Sequence, residues 1–469
     1  MSAAELDTAT LEPLMDVAQQ EHISVLLGAG ASVPAGLPNW SDLAVRLLVA
    51  SSVMDEATAE AFMASQDPTL AAEAARAAVG EEWIPLVREA LFGHEESEAQ
   101  PVALHQAVAA LAAGRAPTEV ALFTTNFDVL LEDALRVLLE GAGLDGPVAT
   151  RAGATPTVHG QYTVQHLHGV LEPGGAHEGV VLTLSDFTRL SASHHPWQVT
   201  ALQDALGRGP MLLAATSYRD PDIRQWLHEL TSDTDHAVGG RRVVFLAREG
   251  LGLNRQQFER VRAPLVEQWA SIGVEVVLIH DYVDAAQALM ELPHLTGDGY
   301  PSPRARAATL MAAHTDPGAF AGLQERYSQQ LADDLAELRP VLGEEANLTL
   351  WLADGTGEIA RFVSNDRTYR TSRDLRRVAA GHDSPWLAGQ CLGRDDTVAG
   401  EPDHESTRTR RWGHVVASPI SVALPGGPEF VAAAISSAVP DRPDDVDTWR
   451  GELERVASEW SGRLVATLE

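Results

Sequence analysis

Between His22 and Trp40 the chain reads HISVLLGAGASVPAGLPNW, in which an apolar run meets three glycines and two prolines with nothing between. A run such as Ile23 to Leu27 has the length and branching of a buried strand. Gly28 and Gly30 let the backbone turn sharply and let a large ligand approach it, and WSDLAVRLLVA beyond them has helical spacing. Strand, glycine turn and helix together make an anion cradle, because amides at the turn face the ligand and a helix N-terminus favours negative charge. The usual dinucleotide fingerprint wants a third glycine where Val33 stands, so the ordinary Rossmann motif is not met.

Further apolar runs with β-branched residues recur at EVALF (119–123), VVLT (180–183), PMLLAA (210–215), RRVVFLA (241–247) and GVEVVLIH (273–280), mostly separated by segments of helical pattern. Such alternation predicts an α/β fold with a Rossmann-like parallel sheet covered by helices. Residues 42–115 break the rhythm. They are rich in Ala, Glu and Leu, and TLAAEAARAA and EEWIPLVREALFG have helical spacing, so they read as a helical module inserted after the first unit. TGDGYPSPRA (296–305) gathers Gly, Pro and Ser as a domain boundary does, which gives one domain over 1–297 and a second over 298–469.

In the second domain Phe320, Leu323, Tyr327, Leu331, Leu335 and Leu338 recur at steps of three or four, in a helix expected to end at Pro340. Trp449, Leu453, Val456, Trp460, Leu464 and Leu468 repeat the pattern near the C-terminus. LTLWLAD, EIARFVS, HVVASPISVAL and FVAAAISSA between them read as antiparallel strands, so a smaller α+β fold is expected. The two apolar rows exceed what a domain of this size needs for itself. Part of them is therefore expected to be buried between copies of the chain in a homo-oligomer.

Composition closes off several classes of function. With 34 basic against 66 acidic residues the formal charge is −32, which repels phosphate backbones and anionic lipid, so direct nucleic-acid binding is not expected. No apolar run approaches the roughly 20 residues that span a bilayer. The N-terminal stretch also lacks the basic start and apolar middle of a secretion signal, so no membrane association and a cytoplasmic location are expected. Every basic residue is Arg, which removes lysine chemistry. Cys391 is the single cysteine, which excludes an internal disulfide and a cysteine-built zinc site. His166 and His168 are spaced as metal ligands can be, but no third ligand accompanies them and no metal is expected.

Four polar motifs follow predicted strands, at the carboxyl ends where an open α/β sheet binds ligands. One is the glycine turn itself. FTTNFD places Asn126 and Asp128 after 119–123, QHLHG ends in His168 and Gly169, and LAATSYRDPDI places Thr216 and Ser217 after 210–215. Taken singly, an Asn and an Asp after a strand are helix caps more often than catalysts, and a His-Gly pair is usually a turn. Their order is more specific: GAGAS…GLPNW, TTNFD, LHG, ATS and DPDI resembles the sirtuin family, and more closely its bacterial sirtuin-like NAD-cleaving branch, over about residues 20–295. The resemblance implies NAD as the ligand. On it, Gly28, Ala29, Gly30, Ala31 and Ser32 line the pyrophosphate, and Gly36 and Pro38 belong to the loop over the nicotinamide ribose. Asn126 and Asp128 stand beside the scissile bond, His168 is the catalytic histidine, and Thr216 with Ser217 contacts the adenosine ribose. Ala215 replaces the glycine of the family's GTS, Thr125 replaces a glutamine common in its deacylases, and Trp40-Ser41 stands for their Phe-Arg.

Cleaving the N-glycosidic bond of NAD gives an oxocarbenium-like ribose, which needs a group to orient the nicotinamide amide, a positioned nucleophile and a base near the ribose hydroxyls. Asp128, Asn126 and His168 are of the right types, and an unperturbed imidazole titrates at about 6.5. The family's deacylases carry a zinc ribbon of four cysteines, which a chain with one cysteine cannot build. The resemblance therefore implies a glycohydrolase that yields nicotinamide and ADP-ribose without zinc, like the toxic effectors of bacterial anti-phage defence. A non-catalytic NAD or ADP-ribose sensor, and an NAD-dependent deacylase or ADP-ribosyltransferase, are the alternatives. Such a hydrolase must be held off. The 298–469 domain, similar in its element order to GAF-type sensors, is expected to receive a small-molecule or protein trigger or to assemble subunits.

Overall fold

The computed structural model describes residues 3–93, 99–144, 147–154, 160–192, 196–216, 223, 225–228, 240–297, 299–403, 411–443 and 445–468. The chain divides into two compact units. One comprises Gln19–Leu246 and Val261–Val277; the other comprises Met1–Ala18, which carries helix α1 (Thr8–Ala18), with Ala247–Arg260 and Leu278–Glu469.

The strands up to residue 279 are β1 (Ile23–Leu27), β2 (Val120–Thr124), β3 (Val148–Arg151), β4 (Tyr162–His166), the short antiparallel ribbon β5 (Val170–Leu171) and β6 (His177–Glu178), then β7 (Met211–Ala214), β8 (Arg242–Ala247) and β9 (Glu275–Ile279). All but the ribbon join one sheet in the order β3-β4-β2-β1-β7-β8-β9. β1 pairs in parallel with β2 along one edge and β7 along the other, and every residue of these three strands is buried. Burial on both faces explains why they read as continuous apolar runs rather than as alternation. On one side of β1 lie β2, β4 and β3, the chain reaching the edge strand β3 before returning to β4, and on the other it winds outward through β7, β8 and β9. The winding reverses between β1 and β7, which is where such sheets open a crevice.

The inserted module is helical, as the sequence predicts: α2 (Trp40–Ala50), α3 (Glu56–Met63), α4 (Pro68–Val79), α5 (Trp83–Phe92) and α6 (Ala103–Ala113). Side-chain caps start the first three of these. Asn39 accepts from the amides of Ser41 and Asp42, Asp55 from Thr58, and Asp67 from Thr69 with Pro68 in the first turn. Leu43, Leu47, Trp83 and Val87 form one apolar cluster with Phe127 and with Leu130, which opens α7 (Leu130–Gly141). The VVLT run is not a strand. Thr183 takes up a capping box with Asp186 and commits the chain to α8 (Leu184–Ser191), which α9 (Trp197–Arg208) and α10 (Arg255–Ala270) follow.

The other unit continues through α11 (Tyr282–Glu291), α12 (Pro303–Thr315), α13 (Phe320–Leu342), β10 (Asn347–Ala353), β11 (Glu358–Ser364), β12 (Arg376–Ala379), α14 (Leu387–Arg394), β13 (Val398–Gly400), β14 (His414–Val422), β15 (Phe430–Val439) and α15 (Val446–Val465). Its six strands form a separate antiparallel sheet in the order β12-β11-β10-β15-β14-β13. α13 runs past Pro340 to Leu342, because the amide that proline lacks falls in the last turn, where little helix remains to be lost. The expectation drawn from the two apolar rows needs correction. Phe320, Leu323, Tyr327, Leu331, Leu335 and Leu338 and, opposite, Trp449, Leu453, Val456, Trp460 and Leu464 are all buried in this unit's own core. The Tyr327 and Trp460 rings meet edge to face at 5.0 Å, and Trp460 Nε1 donates to Asp334 Oδ2 at 2.7 Å. These rows consume their apolar area within one chain. They therefore give no ground for a subunit interface. Among the described residues no helix is long and apolar enough to cross a membrane.

Introducing Leu331→Glu together with Leu335→Glu is therefore expected to unfold this unit, since two uncompensated buried carboxylates cost on the order of 5 kcal/mol or more, comparable with a domain's whole stability. Loss of the near-UV circular dichroism of its tryptophans would register this. A folded variant of altered mass in light scattering would instead restore the subunit-contact reading.

Candidate functional site

Backbone hydrogen bonds lock four turns side by side at the carboxyl ends of β4, β2, β1 and β7. Leu167 N donates to Thr124 O (2.8 Å), Thr125 N to Leu27 O (3.0 Å), Gly28 N to Ala214 O (3.0 Å) and Gly30 N to Ala215 O (3.2 Å). The four sequence motifs are thus neighbours in one row. At Gly28 a Cβ would stand 2.6 Å from Ala215 O and 2.7 Å from Thr216 Cα, so only glycine allows the β1 and β7 turns to close on each other.

The turn after β1 is two short 3₁₀ segments, Ala29–Ala31 and Val33–Ala35. Four of its amides bond within the fold: besides Gly28 and Gly30, Ala31 N donates to Gly28 O and Ser32 N to Ala29 O. Ser32 is likewise reassigned by its side chain. Its hydroxyl donates to Asp128 Oδ2 at 2.8 Å and accepts from Asn126 Nδ2 at 2.9 Å, with only 3% of the residue exposed. Ser32 thus ties the glycine turn to the Asn126–Asp128 turn. Asp128 also accepts from the Leu130 amide through Oδ1 (3.2 Å), so the helix-capping role and the site role coexist in one carboxylate. Asn126 is held by its own amide on Thr124 Oγ1 (3.0 Å), and its Oδ1 is a buried acceptor with no partner among the described residues. Between the two, Phe127 enters the apolar cluster of the helical module, which turns its polar neighbours the other way.

Three histidines bear on this turn, and only one of them belongs to the set expected from sequence. His168 follows β4, is buried, and stacks edge-on against Phe187 at 5.3 Å and beside Trp226 at 5.6 Å. Gly169 next to it has φ +92 and no room for a Cβ beside Gly179. His166, considered from sequence only as a metal ligand, instead places Nδ1 2.8 Å from Asn126 O and Nε2 2.9 Å from Glu132 Oε1. Burial pushes its pKa down, but the Glu132 carboxylate, the Asn126 carbonyl and Asp128 more than offset this, and the value rises above the ordinary imidazole range. His105 on α6 lies with Nε2 3.5 Å from Ser32 Oγ, while Nδ1 accepts from Val102 N. Burial lowers its pKa against the pull of Asp128 and Glu132, which leaves it neutral with Nε2–H toward Ser32. Neither His105 nor Glu132 carries a motif that spacing could reveal.

Gly36 is exposed at φ +88 and Pro38 is buried. Thr216 is half-buried with its Oγ1 unpartnered among the described residues, and Ser217 lies outside them. Cys391 is buried with its thiol pKa pushed well up by desolvation and by Asp395 and Asp396, so it is no nucleophile. In the other unit Glu249, Asp281 and His382 approach within ligand distance of one another, but Asp281 already contacts His382 Nδ1 and lies 3.8 Å from the Arg248 guanidinium, so a fixed positive charge stands beside that position.

Rossmann-like sheet, glycine turn and a polar network at the winding reversal place this unit in the doubly wound α/β class. More particularly, residues 120–277 match the model of the SIR2-like domain family, a stretch that takes in Asn126, Asp128, His168 and Thr216 but begins after the glycine turn. Among solved structures the chain is similar to Sir2Tm bound to a propionylated peptide, at 16% identity over 61% of this chain and 98% of that one, with a TM-score of 0.30. It is also similar to a Sir2 homolog–NAD complex, at 15% identity over 62% and 94%, with a TM-score of 0.33. A third similarity, at 13% identity over 30% and 94% with a TM-score of 0.22, is to a type II free methionine-R-sulfoxide reductase from Thermoplasma acidophilum. No curated protein matches the sequence.

The His166–Glu132 pair has a pH signature. A histidine whose folded pKa is raised stabilises the fold fully below its unfolded value of about 6.5 and loses that contribution as pH rises through the folded value. His105, shifted down, acts in the opposite sense and only below that range. The melting temperature of the wild type relative to His166→Gln is therefore expected to fall as pH rises above about 6.5. A difference that stays flat or rises would contradict the raised assignment.

Proposed function

We propose that this chain is an NAD glycohydrolase, which splits NAD with water into nicotinamide and ADP-ribose and serves as a regulated, NAD-depleting effector of anti-phage defence. The observation that carries this reading is Asn126. Its Nδ2 is locked on Ser32 while Oδ1 is left as a buried acceptor at the carboxyl end of β2, beside the turn at the winding reversal. An unmet buried acceptor costs about 1–3 kcal/mol, so a hydroxyl or a water belongs there. In this role Asn126 Oδ1 orients the attacking water or a ribose hydroxyl. Asp128 has an oxygen on Ser32 and an oxygen on Leu130, which supports a positioning role and a mechanism without a covalent glycosyl intermediate. His168 is the base that takes the proton.

The SIR2-like match over 120–277 supports NAD as the substrate, and a single cysteine weighs against a deacylase with a zinc ribbon. NAD pyrophosphate would lie over the Gly28–Ser32 turn, with Gly36 and Pro38 toward the nicotinamide ribose and Thr216 with Ser217 toward the adenosine. Unchecked depletion of NAD is lethal to a host, so we assign control by a small-molecule or protein trigger to the unit that carries the antiparallel sheet.

Purified full-length protein incubated with NAD is expected to release nicotinamide and ADP-ribose in equal amounts, resolved by chromatography, and to leave an acetylated peptide unchanged. Asn126→Ala and His168→Ala are each expected to lower kcat by about 10²–10⁴-fold while the fold persists by circular dichroism. A His168→Ala protein that turns NAD over at the wild-type rate would remove that residue from the site. Chelation is expected to leave the rate unchanged; a rate that falls with stoichiometric zinc loss would reinstate a metal.

A further inference from the structure

The ion pair of Glu132 and His166 is fully buried, at 0% exposure for both side chains, and Glu132 Oε1 also accepts from Thr150 Oγ1 at 2.7 Å. Buried pairs are poor sources of stability, since desolvation offsets their attraction and apolar replacements often do as well. What this pair offers is direction. His166 has an acceptor on each ring nitrogen, the Glu132 carboxylate on Nε2 and the Asn126 main-chain carbonyl on Nδ1. Acceptors at both nitrogens favour the doubly protonated ring, in which Nδ1 donates to the carbonyl; a neutral ring could instead present its lone pair to the carbonyl and release it. The same residue is fixed at two further points, its N–H on Thr124 Oγ1 and its side-chain amide on Ser32 Oγ. Of the three anchors, the one on the carbonyl is charge-assisted and hence the strongest.

We propose that Glu132 and His166 are positioning residues, which hold the Asn126 turn so that Oδ1 keeps the bearing needed to orient the reacting hydroxyl; the kinetic part rests on the glycohydrolase reading. Neither residue touches the substrate. Glu132 acts through His166, and His166 acts through the backbone of Asn126.

The experiment uses full-length His166→Phe, His166→Asn and Glu132→Gln, with kcat and KM for NAD measured per folded molecule, together with crystal structures. Misplacing a reacting group by about 1 Å costs about 10²-fold, so His166→Phe is expected to lose about that much in kcat. KM should move by less than about threefold, as suits a group that acts on the chemical step and not on binding. His166→Asn returns an N–H to the same carbonyl and should recover at least about tenfold of the loss, a rescue that restored bulk alone would not give. Glu132→Gln keeps the hydrogen bond, removes the charge and should fall between them. If His166→Phe does not fold, Glu132→Gln alone decides, and an unchanged kcat in it overturns the proposal. Equal kcat in all three, with only the melting temperature lowered, also overturns it, because that is the behaviour of a merely structural pair. Should the wild type leave NAD intact, the glycohydrolase reading fails, and the crystal structures still judge the positioning role. Asn126 displaced from Ser32 in the folded variants supports it, and Asn126 unmoved refutes it.

Discussion

β1 has a parallel partner along both edges, and the arrangement at the candidate site depends on this. Hydrogen-bonded to β2 and β7 at once, it delivers its carboxyl end between two others, so three turns come within backbone reach without any long loop to steer them. Gly28 is the residue that permits the closest of these approaches. Its dihedrals, φ −106 and ψ −180, are open to any residue, so the requirement for glycine comes from the β7 turn pressed against its Cα and not from the backbone conformation. A side chain there would force the β1 and β7 turns apart and break the ladder continued by Gly28 N and Gly30 N.

With the turns in place, the alternation of side chains in Asn126-Phe127-Asp128 does the rest. Phe127 is drawn into the apolar cluster with Trp83, Leu86 and Leu130, and that burial, of order 2 kcal/mol for a large side chain, aims the two flanking polar groups away from the cluster. They converge on one hydroxyl. Ser32 accepts from one and donates to the other, so both partners constrain its rotor, and the turn that carries it cannot shift without breaking both bonds. A buried polar network of this kind is rigid when complete and costly when any member is missing. Within this trio of side chains, Asn126 Oδ1 is left without a partner among the described residues.

The parallel strands were legible because strands buried on both faces are apolar without interruption, and each of the runs at 23–27, 119–123, 210–215, 241–247 and 273–280 became one. VVLT failed for a local reason: the Thr183 and Asp186 capping box outweighs three apolar residues. Edge strands such as β3 and β12 are half-buried or largely exposed, and short, so they leave little pattern. Asn126 and Asp128 could be found from the order of motifs, and the structure joins them to Ser32. His105 and Glu132 could not. Each is one polar residue on a helix whose apolar spacing is satisfied without it, and its meaning arises only when the sheet brings residues 32, 126 and 166 together. The two apolar rows of α13 and α15 misled in the opposite way: spacing reports that a face is buried, and it is silent on whether the cover is another helix of the same chain.

Among the described residues the row of turns carries both unmet polar atoms and backbone strain. Asn126 Oδ1 and Thr216 Oγ1 lack partners among the described residues, and Ala215, between Gly28 and Thr216, adopts φ +55, a conformation that costs an L-residue other than glycine roughly 1–2 kcal/mol. Ala215 is kept there by the ladder, since its carbonyl receives the Gly30 amide and its neighbour Ala214 receives that of Gly28. A relaxed Ala215 would have to give up that bond, so the strain persists for as long as the β1 and β7 turns stay joined. Strain and unmet acceptors that a fold maintains at a strand end are free energy a ligand can recover, by donating to Asn126 and by bonding Thr216. Groups that the fold holds in place without a partner among the described residues thus lie beside a glycine turn that has bonded most of its own amides.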